Sequence, residues 1–249
     1  MSEDRIYRNK DDGEPGSVEP FRFNDEVAQV FPDMLRRSIP GYQASLEAIG
    51  SLAARYVQAG THCYDLGCSL GAASIAMRQG IRNPDCRIFA IDNAPAMVRR
   101  CRQIVASDLE IEPGGAKIEV IQGHIRDVTL TNASMIVLNY TLQFLPIDQR
   151  ADLIARIVAG LNDGGVLVLS EKVVDSDPQM EKLLVDLHHE HKRRNDYSAM
   201  EIARKRAALE TVLLPETVKD HRDRLLRSGF SSAAVWLRYF NFVSIIAIR

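Results

Sequence analysis

From about residue 25 onward the chain alternates between two hydrophobic rhythms. "DEVAQVFPDMLRRS" and "YQASLEAIGSLAARYV" place apolar residues at helical spacing and are separated by the Pro40-Gly41 break, which predicts two leading helices. Short apolar runs then alternate with helical stretches. "HCYDL" precedes a helix from about Ala72, "CRIFAID" precedes "APAMVRRCRQIVAS", and "KIEVIQG" and "SMIVLNY" are followed by "DQRADLIARIVAGL" and "GVLVLSE". Strand and helix alternating in this way predict an α/β fold, with a parallel sheet covered by helices on both faces.

The last third breaks the rhythm. A polar helical region over about 178–214 precedes "TVKDHRDRLLRSGF", after which "SAAVWLRYF" and "FVSIIAIR" follow almost without a gap. Strands so close must pair antiparallel, because a parallel crossover needs a dozen or more residues. The expected architecture is therefore Rossmann-like: a mostly parallel seven-stranded sheet ending in an antiparallel hairpin, with N-terminal helices and a helical insert. This layout resembles that of class I S-adenosylmethionine-dependent methyltransferases. Residues 21–249 suit a single domain, and 1–20, charged and carrying Gly and Pro, read as a mobile tail and not as a signal peptide. There is no internal repeat.

Composition narrows the function classes. A net charge of -2 argues against a dedicated nucleic-acid surface, and no apolar run is long enough to span a bilayer, so a membrane protein is not expected. Cys63, Cys68, Cys86 and Cys101 form no C-x-x-C pair and read as reduced thiols in a cytoplasmic protein.

Ligands of open parallel sheets bind beyond the carboxyl ends of the strands, nearest the first strand-to-helix turn. Gly67 and Gly71 sit in that turn, where glycine permits unusual backbone angles and lets a ligand approach. Asp92 ends the second strand 25 positions after Gly67, where a carboxylate reaches both hydroxyls of a ribose. Ser69 replaces the second glycine of a dinucleotide fingerprint, a loss that matters for a pyrophosphate and much less for S-adenosylmethionine, which carries no phosphate. Asn139, ending "SMIVLNY", is suited either to a ligand's ammonium or carboxylate or to capping a turn. His124 follows the third strand, near the expected adenine position.

On a helix through "AMEIARKRAALETVLL", Ile202, Arg206, Leu209 and Leu213 share one face, which aligns Arg206 with an apolar stripe. A guanidinium there needs a carboxylate, either a structural Asp or Glu or one belonging to the ligand. His188 and His191 lie one turn apart without a third ligand, so no metal is expected. The run Lys192 to Arg194 reads as surface. No nucleophile elbow supports hydrolysis.

Six stretches, "FPDMLRRSIPGY", "YDLGCSLGAAS", "AIDNAPAMVRRCR", "NYTLQFL", "LVLSEK" and "KRAALE", resemble the carboxy-S-adenosyl-L-methionine synthases of Gram-negative bacteria. The resemblance runs from about Phe21 to the C-terminus. It implies that S-adenosyl-L-methionine and prephenate are converted to carboxy-S-adenosyl-L-methionine, phenylpyruvate and water, the product serving as donor for carboxymethylation of 5-hydroxyuridine at the tRNA wobble position. It further implies ligand contacts from Tyr42, Gly67, Cys68, Ser69, Asp92, Asn93, His124, Ile125, Asn139 and Arg206. Arg206 would pair with the new carboxylate, from its own or the neighbouring subunit of a homodimer. Where the family commonly has Asp, this chain has His124. No direct tRNA binding is required.

Chemically, the sulfonium acidifies its methyl hydrogens, and a methyl carbanion can take up carbon dioxide where water is excluded. Two other readings fit the glycine loop and Asp92 equally: a conventional methyltransferase acting on a small molecule or RNA, and a sensor that binds S-adenosylmethionine without chemistry. Arg206 with Tyr42 separates them, since a cation near the methyl carbon only opposes a positive sulfonium.

Overall fold

A computed structural model describes residues 3–7, 20–83 and 85–249. Two helices lead in: α1 (Asp25–Ser38), capped by the Asn24 side chain on the Val27 amide, and α2 (Tyr42–Tyr56), launched from Gly41 at φ +75°. The alternating segment then gives β1 (His62–Leu66), α3 (Ala72–Gly80), β2 (Arg87–Asp92), α4 (Pro95–Ile111), β3 (Lys117–Gln122), β4 (Ala133–Asn139), α5 (Ile147–Gly160) and β5 (Leu161–Val174). Helices α6 (Pro178–Arg194) and α7 (Ala199–Leu209) form the insert. A two-residue strand β6 (Glu216–Thr217), helix α8 (Val218–Arg227) and strands β7 (Ser232–Tyr239) and β8 (Phe242–Ile248) complete the described chain.

The sheet runs β3-β2-β1-β4-β5-β8-β7, with β6 pairing the far end of β5. Pairs among β1 to β5 are parallel, whereas β8 lies antiparallel to both β5 and β7. The expected seven-stranded path and terminal hairpin are thus present, with β6 as an addition too short to carry a pattern. The central strands are apolar on both faces because helices cover both. Leu66, Ile136, Leu138 and Leu167 pack with Leu153, Ile154 and Ile157 of α5, while Cys63, Met135, Val137 and Val168 pack with Ile49 of α2 and Met77 of α3.

The helical insert expected over about 178–214 is made of two helices. It breaks at Asn195 and restarts at Ser198, whose side chain and Glu201 form a capping box. The tail expected over 1–20 is not free at 3–7: Asp4 and Tyr7 are buried, the Asp4 amide donates to Asp33, and Tyr197 donates to the Asp4 carboxylate. An acidic side chain is retained there because the Lys205 ammonium stands 3.7 Å from it, while Arg37 donates to the Asp4 backbone carbonyl, which composition alone does not reveal. Residues 1, 2 and 8–19 lie outside the described residues.

Candidate functional site

The carboxyl ends of β1, β2 and β4 open into a cavity of about 860 Å³ that continues past α2 to the inner face of the insert. That volume lies toward the upper end of the roughly 300–1,000 Å³ typical of ligand pockets. Tyr42, Gly67, Cys68, Ser69, Asp92, Asn93, His124, Ile125 and Asn139, drawn from five separate segments, all line it.

The strand-edge end is built mainly from backbone. Gly67 and Gly71 both have φ +82°, a conformation that favours glycine. A side chain at either would strike the protein itself: a Cβ at Gly67 would come within 2.3 Å of Thr141, and one at Gly71 within 2.8 Å of Cys101 Sγ. The turn's own packing therefore requires both glycines, and Gly67 lines the cavity as well. Asp92 Oδ2 accepts from the Ser69 amide and Oδ1 from the Ala94 amide, both at 2.8 Å, so one carboxylate fixes the glycine loop and the start of α4 while still facing the cavity.

Asp65 lies beside it, fully buried, accepting a 2.6 Å hydrogen bond from Ser74 Oγ. Burial, with Asp92 nearby, raises its carboxyl to about 6. Burial pushes the Tyr42 phenol up from its ordinary value, and the Asp65 charge adds to the shift. Asn139 Oδ1 is buried without a hydrogen-bond partner. It is an acceptor facing a space that the protein leaves open to a donor.

Tyr140, which follows Asn139, was not singled out from the sequence although it lines the cavity. It adopts φ +62°, a costly conformation for an aromatic residue, and its amide donates to the Ser170 carbonyl at 2.7 Å. The turn behind it is held by Glu171, whose two carboxylate oxygens accept from the amides of Leu142 and Gln143, each at 2.9 Å. Burial raises the Glu171 carboxyl to about 8. Only the left-handed backbone angle marks Tyr140, and sequence does not display it.

Arg206 stands elsewhere. It is exposed on α7 and does not line its own chain's cavity, which corrects its expected place on the apolar stripe. The helix stops at Leu209, so Leu213 never extends the stripe, and the buried face is set by Ile202, Lys205 and Ala208. The neighbouring Lys205 enters the cavity instead. Arg206 remains close enough for its charge to depress both Lys172 and His189.

The other end of the cavity carries three lysines, Lys172, Lys192 and Lys205, with His188. His188 Nε2 lies 2.9 Å from the Ser38 carbonyl, so it donates there, and burial holds the ring neutral by lowering its pKa to about 2. Among the described residues, no three His, Cys, Asp or Glu side chains converge as a metal site would require, and none of the helices is long and apolar enough to cross a membrane.

Residues 64–165 match the model of a methyltransferase domain. The chain resembles solved structures at the level of fold. A putative S-adenosyl-L-methionine-dependent methyltransferase from Methanococcus maripaludis superposes with a TM-score of 0.59 at 20% identity, covering 93% of this chain and 95% of that one. Magnesium protoporphyrin IX methyltransferase from Synechocystis, with bound S-adenosylmethionine, gives 0.58 at 15% identity over 87% and 84%. Sequence relatives are much nearer. The carboxy-S-adenosyl-L-methionine synthase of Citrifermentans bemidjiense is 52% identical over 92% of this chain and 93% of its own length, and that of Klebsiella pneumoniae is 48% identical over 94% and 93%. With a class I methyltransferase fold and this degree of identity along nearly its whole length, the chain belongs to the carboxy-S-adenosyl-L-methionine synthase family.

Proposed function

We propose that the protein carboxylates the S-methyl group of S-adenosyl-L-methionine with prephenate as carboxyl donor, releasing phenylpyruvate and water. The observation that carries this reading is one cavity in which the lining carboxylates, Asp65 and Asp92, stand at the strand edge and three lysines stand toward the insert, with Arg36 and Arg126 as the other charged lining residues. A cation and an organic anion can therefore sit end to end inside it.

The residues present fit S-adenosyl-L-methionine. Asp92 keeps lone pairs for the ribose hydroxyls after holding the loop, and the ammonium of the amino-acid part supplies the donor that Asn139 Oδ1 lacks, beside the buried Asp65 carboxylate. Gly67, Cys68 and Ser69 pass beside the amino-acid end and the sulfonium. Asn93, His124 and Ile125 border the adenine, where Asn93 Nδ2 and His124 Nδ1 are 3.4 Å apart. When bound, the sulfonium makes the methyl hydrogens acidic. The reaction balances internally: loss of the ring carboxyl as carbon dioxide sends its electron pair into the ring and expels the ring hydroxyl, which leaves as water with one methyl proton. The new carbon–carbon bond joins the methyl carbon to carbon dioxide.

Tyr42 and Tyr140, ring centroids 6.3 Å apart, both line the cavity, and their rings supply the apolar surface that such a step needs against water. Arg206 pairs with the new carboxylate. Because it lies outside its own cavity, that role calls for a homodimer in which each subunit lends its arginine to the other. The product supplies the carboxymethyl group for wobble uridine in tRNA within the cytoplasm, and this protein itself need not bind tRNA or a membrane.

Mass spectrometry after incubation with S-adenosyl-L-methionine, with and without prephenate, tests the reading. A prephenate-dependent product heavier by carbon dioxide, with phenylpyruvate beside it, is expected, and unchanged S-adenosyl-L-methionine would refute it. Arg206→Leu and Tyr42→Phe are each expected to lose most activity, whereas mixed and re-associated subunits regain part of it. Absence of that regain would refute the shared site.

A further inference from the structure

Lys172, Lys192 and Lys205 come from the end of β5, the last turn of α6 and the middle of α7, yet they line the same end of the cavity. The only carboxylates lining the cavity among the described residues are Asp65 and Asp92, both at the opposite end. One lysine is already accommodated: Lys205 Nζ donates to Ser38 Oγ at 3.0 Å and lies 3.7 Å from the Asp4 carboxylate. Lys172 and Lys192 make no side-chain hydrogen bond or ion pair with any described residue, although Lys192 is 92% shielded from solvent as a residue (8% exposed). An ammonium group held so far from water without a partner is costly, and a second lysine beside it raises the cost. Burial together with the Lys205 and Lys172 charges lowers Lys192 to about 7. His188, spent on Ser38 and neutral, adds no charge and offers no further donor toward an anion.

The wall leading to this pair is aromatic. Tyr42 faces Tyr140, Tyr140 lies 6.0 Å from Phe242, and Phe242 lies 4.8 Å from His188, centroid to centroid. The path from the strand edge to the lysines therefore suits a flat, six-membered carbon ring whose carboxylate-ended side chain reaches on to the lysines. We propose that Lys172 and Lys192 form the subsite for the carboxylate that the donor retains, so that the carboxyl group to be lost points back toward the strand-edge end. This rests on the reading above for the identity of the donor. The presence of an anion subsite at the lysines stands on the geometry alone.

The experiment compares the wild-type protein with Lys192→Met and Lys172→Met, following prephenate turnover and, separately, calorimetric binding of phenylpyruvate, which keeps the retained carboxylate but has no carboxyl group to give. Either substitution is expected to raise the KM for prephenate and the Kd for phenylpyruvate by roughly 10- to 100-fold, the loss of a shielded charge-assisted pair. The kcat at saturating prephenate should fall much less, and the Kd for S-adenosyl-L-methionine should stay within about two-fold, since that ligand lies at the other end. The latter also shows that the variants are folded, and Lys192→Arg should recover part of the binding. Unchanged KM and Kd in both variants would overturn the subsite. If the wild type ignores prephenate yet binds phenylpyruvate in a lysine-dependent way, the subsite stands and the donor assignment falls. If it neither turns over prephenate nor binds phenylpyruvate, both fall.

Discussion

The strand-edge and insert ends of the cavity are built in different ways. At the strand edge, parallel strands stop in register and their connecting turns supply backbone groups, fixed by a side chain that itself faces the cavity: Asp92 holds Ser69 and Ala94. Toward the insert, the groups are the ends of long lysine side chains on β5, α6 and α7, two of them making no side-chain hydrogen bond or ion pair with any described residue. A sheet edge is rigid and offers acceptors to a cation. An inserted helical pair can vary in sequence without disturbing the sheet, and here it carries two of the three lysines, Lys192 and Lys205. Between fold and chemistry, the first end belongs to the methyltransferase-like framework and the second makes a two-substrate reaction possible.

If this contrast is right, damage at one end should leave the other readable. The largest effect is expected from Asp92→Ala, which frees the glycine loop as well as removing a ligand contact. Calorimetry should show S-adenosyl-L-methionine binding about 100-fold weaker, equivalent to roughly 3 kcal/mol, and a two-fold change or less would break the assignment. Gly67→Ala tests whether that end is made by packing. The positive φ and the Thr141 collision together should cost roughly 2–4 kcal/mol in denaturant unfolding, and Thr141→Gly should recover the collision part but not the backbone part. No recovery would mean that the turn is held by something else.

Next in size, the two ends should answer pH in opposite directions. Asp65, at about 6 when free and facing Ser74, Asp92 and Tyr42, is held lower by a bound ammonium, so affinity for S-adenosyl-L-methionine should be full above pH 6 and weaken as pH falls below it. Lys192, at about 7 when free and facing Lys172, Lys205, His188 and Asp4, is held higher by a bound carboxylate. Affinity for prephenate should therefore be full below pH 7 and weaken above it, by up to about ten-fold per pH unit for one proton. Parallel profiles for both ligands would contradict the division of charge. The smallest effect is expected from His124→Asp: His124 is exposed, so restoring the residue common in the family should change affinity for S-adenosyl-L-methionine by no more than about five-fold.

Much of the strand-edge end was legible in the sequence, because each part is local. The two glycines, Asp92 and Asn139 sit at the ends of strands whose apolar runs are plain, and a parallel sheet brings those ends together. Tyr140 and Glu171 were not legible, since one is marked by a backbone angle and the other by two amides in a turn that follows a different strand. The insert misled in a definite way. Adjacent residues differ by about 100° around a helix, so an apolar stripe extended past the end of α7 was enough to exchange exposed Arg206 for buried Lys205. Lys192, read as part of a surface run, is the one member of that run turned inward.

The order of strands and helices, the closing hairpin, the glycine loop and the family are readable in the chain alone, because they depend on periodicity and on short motifs that survive without their surroundings. Which cations face the cavity, that Asp4 folds back to meet Lys205, and that Arg206 lies outside emerge only from the packed fold. Those depend on helix phase and on contacts between residues as far apart as 4 and 205, where burial and charge balance are settled by the packing of distant segments.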